Sequence, residues 1–210
     1  GAGKGLTVNA GNGDVTFSGA VGDAAGARLG ALAVNSGSAT QLDGAVYAAS
    51  IATDAGGTLV INGGRVDTTG TQSYGELATL GADTVLKGST VSLLAGADGS
   101  HALTITGNAV VNGALGATDR LASLSISGNA ELGGGVINTA GAQSYQGNVT
   151  LADDLSITTA NGNVAFSGTV ASAAGAGKGL TVNAGNGDVT FSGAVGDAAG
   201  ARLGALAVNS

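Results

Sequence analysis

The sequence predicts an all-β protein, a parallel β-helix (β-solenoid) with about three short strands per coil. Three observations carry the prediction: very short runs in which apolar residues alternate with small or polar ones, Gly- and Asn-rich corners between those runs, and repetition of the whole pattern along the chain. Successive strand side chains face opposite ways, so each run turns its apolar pair to one side and its Thr, Ser or Ala to the other.

The runs open with Leu6-Thr7-Val8 and Val15-Thr16-Phe17 and continue through Leu103-Thr104-Ile105, Val149-Thr150-Leu151, Leu155-Ser156-Ile157 and Val164-Ala165-Phe166. Parity puts Leu6, Val8, Val15, Phe17, Leu103, Ile105, Val149, Leu151, Leu155, Ile157, Val164 and Phe166 inside the coil. It turns Thr7, Thr16, Thr104, Thr150 and Ser156 to solvent. Strands of ~3–5 residues are expected, shorter than those of a typical sandwich. Segments such as NAGNGD and TTANGN separate them, and Asn and Gly tolerate the left-handed backbone of tight corners. No stretch carries a 3.6-residue apolar stripe, so helix is expected to be nearly absent. Proline is missing, as suits a stack in which every rung donates N–H groups to its neighbour. A β-propeller is the weaker competitor, since its blades need longer antiparallel strands.

Repetition occurs at two levels. Residues 1–36 recur without a change at 175–210, an offset of 174. The chain reads as one continuous solenoid segment, residues 1–210: a 174-residue unit, 1–174, plus the start of the next identical unit, 175–210. It is expected to be a window of a longer tandem array. The two copies are expected to fold alike in equivalent positions about 40 Å apart on the axis, from ~9 coils spaced ~4.8 Å. Without capping repeats, the isolated piece is expected to fray or to associate end to end. Inside the unit, DTTGTQSY at 67–74 answers NTAGAQSY at 138–145, LGADTVL at 80–86 answers LADDLSI at 151–157, HALTI at 101–105 answers KGLTV at 178–182, and RLGALAV at 28–34 answers RLASLSI at 120–126. The sub-repeats are thus 71 and 103 residues, the longer expected to carry one or two extra turns around residues 37–62. Whole turns insert easily where each coil touches only its neighbours.

Composition excludes several classes. Gly supplies 41 and Ala 40 of the 210 residues, but no Gly-X-Y period exists, so the chain is not collagen. A 43% hydrophobic content argues against a disordered linker. No run approaches the ~18 apolar residues of a membrane-spanning helix, and none resembles a signal peptide. With no Cys there is neither a disulfide framework nor a thiolate metal site. The formal charge is −7, and Lys4, Arg28, Arg65, Lys87, Arg120, Lys178 and Arg202 stand singly in the sequence. Nucleic acid, which asks for clustered cations and stacking aromatics, is not an expected partner.

The phrases GAQSYQGNVTLADDLSI, NGNVAFSGTV and KGLTVNAGNGDVTFSGAVG resemble the repeats of filamentous-haemagglutinin-like exoproteins, large adhesins that Gram-negative bacteria export by two-partner secretion. The resemblance covers essentially the whole chain. It implies a right-handed parallel β-helix forming a stalk at the cell surface or in the biofilm matrix. The partners it implies are neighbouring repeats of the same chain, other copies of the filament, a host or bacterial surface, or matrix polysaccharide.

Each candidate for chemistry has a plainer structural reading. His101 is the lone His and aligns with Lys178, an exchange that a metal ligand or catalytic base would not tolerate, so an exposed corner is expected. Asp153-Asp154 could be paired carboxylates of a polysaccharide hydrolase, but adjacent strand residues point apart and the aligned pair is Ala82-Asp83. Gly11-Asn12-Gly13-Asp14-Val15 matches half of a calcium-binding nonapeptide, yet its next copy, Gly185-Asn186-Gly187-Asp188, is 174 residues away. Ala2-Gly3-Lys4-Gly5 fails as a phosphate loop, lacking Ser or Thr after the Lys and a following helix. Gln72-Ser73-Tyr74 and Gln143-Ser144-Tyr145 read as a motif whose Tyr covers one side of the coil. No catalytic, cofactor-binding or metal residue is assigned. The expected function is a structural stalk of a secreted adhesin, not an enzyme; the alternatives are a carbohydrate-active β-helix enzyme and an ice-binding solenoid.

Overall fold

The computed structural model describes residues 3–24, 26–196 and 200–210; Ala2 of the phosphate-loop candidate lies outside them. The chain is all-β, with every strand pairing parallel, and it winds as a three-faced coil. Face 1 is traced by the paired column Leu6, Leu32, Ile51, Gln72, Val91, Ala109, Ala130, Val149, Val170 and Val195. Face 2 runs Val15, Thr40, Leu59, Ala78, Ala97, Leu115, Ile137, Ile157, Val182 and Val208. Face 3 runs Val21, Val46, Val66, Leu86, Ile105, Ile126, Tyr145, Phe166 and Phe191. The chain visits the faces in the order 1, 2, 3, and nine turns separate Leu6 from Val195. At ~4.8 Å per rung the stack rises about 43 Å over that span.

Alternation decides the interior as expected. Val15, Leu103, Ile105, Val149, Leu151, Leu155, Ile157, Val164 and Phe166 are buried, and Val8 and Phe17 pack partly buried against them. Leu6 is the exception and is exposed: among the described residues it has a strand partner on one side only, Leu32. Thr7 and Thr16 are exposed, whereas Thr104, Thr150 and Ser156 are half-buried between neighbouring rungs. Some strands exceed the expected length: Thr84–Leu93 and Ala102–Val111 each span ten residues because they bend from face 3 onto face 1 without a break.

That bend is built on glycine. Gly88, Gly107, Gly128, Gly147, Gly168 and Gly193 form a column in which each backbone lies against the one before; a Cβ on Gly128 would sit 2.5 Å from the Gly107 carbonyl. Beside it, the Asn108 Oδ1 accepts from Asn129 N, Asn129 Oδ1 from Asn148 N, and Asn148 Oδ1 from Thr169 N, each at 3.0 Å. The side-chain amide thus replaces a strand partner at a corner where the sheet ladder is interrupted.

Candidate functional site

Two positions that looked like chemistry are staples between coils. Asp83 Oδ1 accepts from Ala102 N at 2.9 Å, with His101 Nδ1 3.5 Å away from the same oxygen. One sub-repeat later, Asp154 Oδ1 accepts from Gly179 N at 2.7 Å, and Lys178 Nζ donates to Asp153 at 2.8 Å. His101 and Lys178 hold matching places: His101 lies against the capping acid Asp83 itself, and Lys178 against Asp153, the neighbour of the capping acid Asp154. The Lys178 hydrogen bond and the Asp154 amide hold the Asp153 carboxyl below its ordinary range, and Asp153 raises Lys178 in return. Asp14 does the same work in the NAGNGD turn: its Oδ1 accepts from Ser38 Oγ at 2.6 Å and Ala39 N at 3.0 Å, which lowers its pKa. Among the described residues, no group of three or more His, Asp or Glu is placed to hold a metal.

The QSY motif lies elsewhere than expected. Tyr74 and Tyr145 do not cover the coil; both are fully buried in its interior. Tyr74 Oη donates to Gln72 Oε1 at 2.8 Å and Tyr145 Oη to Gln143 Oε1 at 2.7 Å, so each phenol is satisfied two residues away on its own strand. The amide of Gln72 then donates to the Val66 and Lys87 carbonyls at 3.0 and 2.8 Å, and that of Gln143 reaches Thr139 Oγ1 at 3.2 Å. Burial drives both phenol pKa values far up, leaving them neutral hydrogen-bond donors. A buried Tyr needs such a partner, and the sequence signal for it was the Gln two residues earlier.

Sequence reading missed the strongest charge cluster. Arg28, Arg65 and Lys87, isolated along the chain, converge on Asp67 on the outside of face 3. Tyr47, Asp67 and Lys87 are register partners on successive rungs, as Val46, Val66 and Leu86 are. Arg28 Nη2 donates to Asp67 Oδ1 at 2.9 Å, its Nη1 to the Asp67 carbonyl at 2.7 Å, and its guanidinium lies 5.6 Å over the Tyr47 ring. Arg65 Nη2 donates to Asp67 Oδ2 at 2.6 Å. Burial raises the Asp67 pKa, but the Arg65 and Arg28 hydrogen bonds and the charges of Arg28 and Lys87 outweigh it and hold the carboxyl below its usual range. Three cations thus converge on one acid in a molecule of formal charge −7. Beside it Arg28, Lys87, Thr68, Thr69, Ser89 and Thr106 line an open groove of ≈ 440 Å³.

One acid is buried without adequate partners. Glu76, at the corner from face 1 to face 2, accepts from Thr53 Oγ1 through Oε2, while its Oε1 has no hydrogen-bond partner. Burial, with the Asp54 carboxylate nearby, raises its pKa against the Thr53 bond. Comparison with protein-family models, with characterised proteins and with solved structures finds no match for the chain.

Proposed function

We propose that the chain is a rigid length-setting segment of a secreted bacterial surface adhesin, a stalk that holds binding elements away from the cell and joins cells and matrix. One observation carries the reading: among the described residues, the second copy of the repeat continues the hydrogen-bonded stack of the first. Leu155–Ile157 pairs with Leu180–Val182, which pairs with Leu206–Val208, and the inner register of the copy, Leu180 on Leu206, repeats that of Leu6 on Leu32. A unit that ends by templating its own beginning adds length with each repeat, and its partners are first of all its own neighbouring repeats. The resemblance to filamentous-haemagglutinin-like repeats supports the location outside the cell and the role in adhesion and biofilm assembly.

The alternatives draw less support. Ice binding asks for Thr in register on one face, but Thr7 and Thr150 lie on face 1, Thr16 on face 2 and Thr104 on face 3. A polysaccharide hydrolase asks for facing carboxylates, whereas Asp153 and Asp154 are committed to Lys178 and Gly179. Immuno-electron microscopy of producing cells with an antibody to this segment tests the proposal. Label on filaments beyond the outer membrane, and loss of surface attachment when the gene is deleted, is the expected result. Label confined to the cell interior, or attachment unchanged by deletion, would overturn it; turnover of a surface polysaccharide would favour the enzyme.

A further inference from the structure

The two identical 36-residue segments keep the same internal register but stand on different faces. Leu6–Val8 lies on face 1, where it pairs with Leu32–Val34; its copy Leu180–Val182 lies on face 2, between Leu155–Ile157 and Leu206–Val208. Val15–Phe17 lies on face 2 against Thr40–Leu42, whereas Val189–Phe191 lies on face 3 against Val164–Phe166. Val21 bridges to Val46 on face 3, and its copy Val195 bridges to Val170 on face 1. All three placements show the same shift. Following face 1 from Leu6 to Val170 takes eight turns, and Leu180–Val182 is one face further on, so 174 residues make eight and one-third turns. The 71-residue sub-repeat shows the same arithmetic, since Gln72 is on face 1 and Gln143 on face 3, three and two-thirds turns later. The remaining 103 residues therefore make four and two-thirds turns, one more than the shorter sub-repeat.

The shift has a consequence inside the coil. Phe191 stacks on Phe166, and Phe166 on Tyr145, with ring centroids 4.9 Å apart and planes within 7°. A repeat of whole turns would have returned Phe191 to face 2, where the column that holds Phe17 continues through Leu42, Ile61 and Leu80 rather than through rings. The third of a turn thus seals the junction between units with a three-ring stack.

We propose that the tandem unit is a threefold display. Wherever 174-residue units follow one another, each surface feature of a unit reappears one face further round and about 40 Å further along, at the rung spacing of a sheet. It returns to its own face after three units, 522 residues and 25 turns, roughly 120 Å at that spacing. The Arg28–Arg65–Lys87 patch, which one unit carries on face 3, is then presented on all three sides in turn. A filament built this way has no preferred side. A partner that recognises one surface of the unit is engaged all round the filament, so multivalent contacts link it in three directions rather than along one edge. The extension beyond this chain rests on the stalk reading; the rotation between the copies does not.

The rotation is tested in the 210-residue chain by cysteine pairs read with a short bifunctional thiol reagent. Ser156 and Thr181 are register partners on the outer side of face 2, so the Ser156→Cys/Thr181→Cys pair should crosslink nearly completely. The Ala171→Cys/Thr181→Cys pair should not, although it would be adjacent if the copy stood on face 1 as Thr7 does. Ala165→Cys/Thr190→Cys reads the same rotation on face 3 and guards against misfolding of the first pair. Crosslinking of Ala171→Cys/Thr181→Cys, or of neither predicted pair in chains that retain β-sheet circular dichroism, would overturn the rotation. On the natural filament, an antibody to one face of the unit should decorate three sides in turn. Decoration along a single side would overturn the display while leaving the adhesin reading intact, and loss of that reading would leave the crosslinks unchanged.

Discussion

Leu6 and Leu180 are the same position of the repeat, as are Leu32 and Leu206, and the structure reverses which member of each pair is buried. Leu6 is 38% exposed and Leu180 1%; Leu32 is 1% exposed and Leu206 46%. In the 210-residue chain, replacing each by Ala should therefore give a crossed result that no argument from local sequence can produce. Leu32 and Leu180 have coils on both sides. Their loss combines the transfer of a buried side chain, about 1.5–3 kcal/mol, with the cavity its stacked neighbours fill only in part. The total is about 2–5 kcal/mol. Leu6 and Leu206 have one side open to water, so part of the transfer term is already absent and no enclosed cavity can form; about 1 kcal/mol or less is expected. Coils couple mainly to nearest neighbours, so a single melting curve would blur the four variants. Hydrogen exchange at the amides of Val34 and Val182, which lie in the affected strands, reads local opening directly. Leu32→Ala and Leu180→Ala should each lower protection by about two orders of magnitude, taking roughly 1.4 kcal/mol per tenfold, and Leu6→Ala and Leu206→Ala by less than about one. Equal effects at Leu6 and Leu180 would refute the reasoning, because stacking context would then not decide burial.

Gly128→Ala should destabilise by about 1–3 kcal/mol in urea titration, because its Cβ would meet the Gly107 backbone at 2.5 Å, whereas Gly19→Ala, with nothing within 4 Å, should be nearly silent. Asp67→Asn leaves Arg28, Arg65 and Lys87 without their anion and should cost about 1–3 kcal/mol at pH 7. Since the Asp67 pKa is lowered on folding, its contribution is present above the unfolded value of 3.8 and lost as pH falls, so stability should fall less steeply in acid for the variant than for the wild type. Glu76 has the opposite sign: its raised pKa contributes stability below the unfolded value of 4.5 that is lost as pH rises through the folded one. Glu76→Gln, which keeps an acceptor for Thr53, should therefore raise Tm at pH 7 and lose that advantage near pH 4; a lower Tm at neutral pH would show that the charged carboxylate is needed.

Local alternation and composition were enough to give the sequence its fold class and the inside-outside parity of the six runs read in it, because parity is a property of the strand backbone and holds wherever the strand is placed. The exchange of His101 for Lys178 likewise marked a corner without chemistry of its own, but not the acid that each of them meets on the neighbouring rung. What tertiary structure alone decided is which face each strand occupies. Face assignment is a running total over turns of 18 to 26 residues on face 1, from Val91–Ala109 to Leu6–Leu32, and the corners absorb the difference. A one-corner change moves everything downstream by a third of a turn while altering no local pattern. For that reason the sequence showed two identical segments and two QSY motifs but not that each pair stands on different faces. It showed Arg28, Arg65 and Lys87 as solitary cations, and only the stacking of rungs brought them onto Asp67. Parity was likewise silent about the exposure of Leu6, since the pleat says which side a residue faces and not whether another coil lies beyond it.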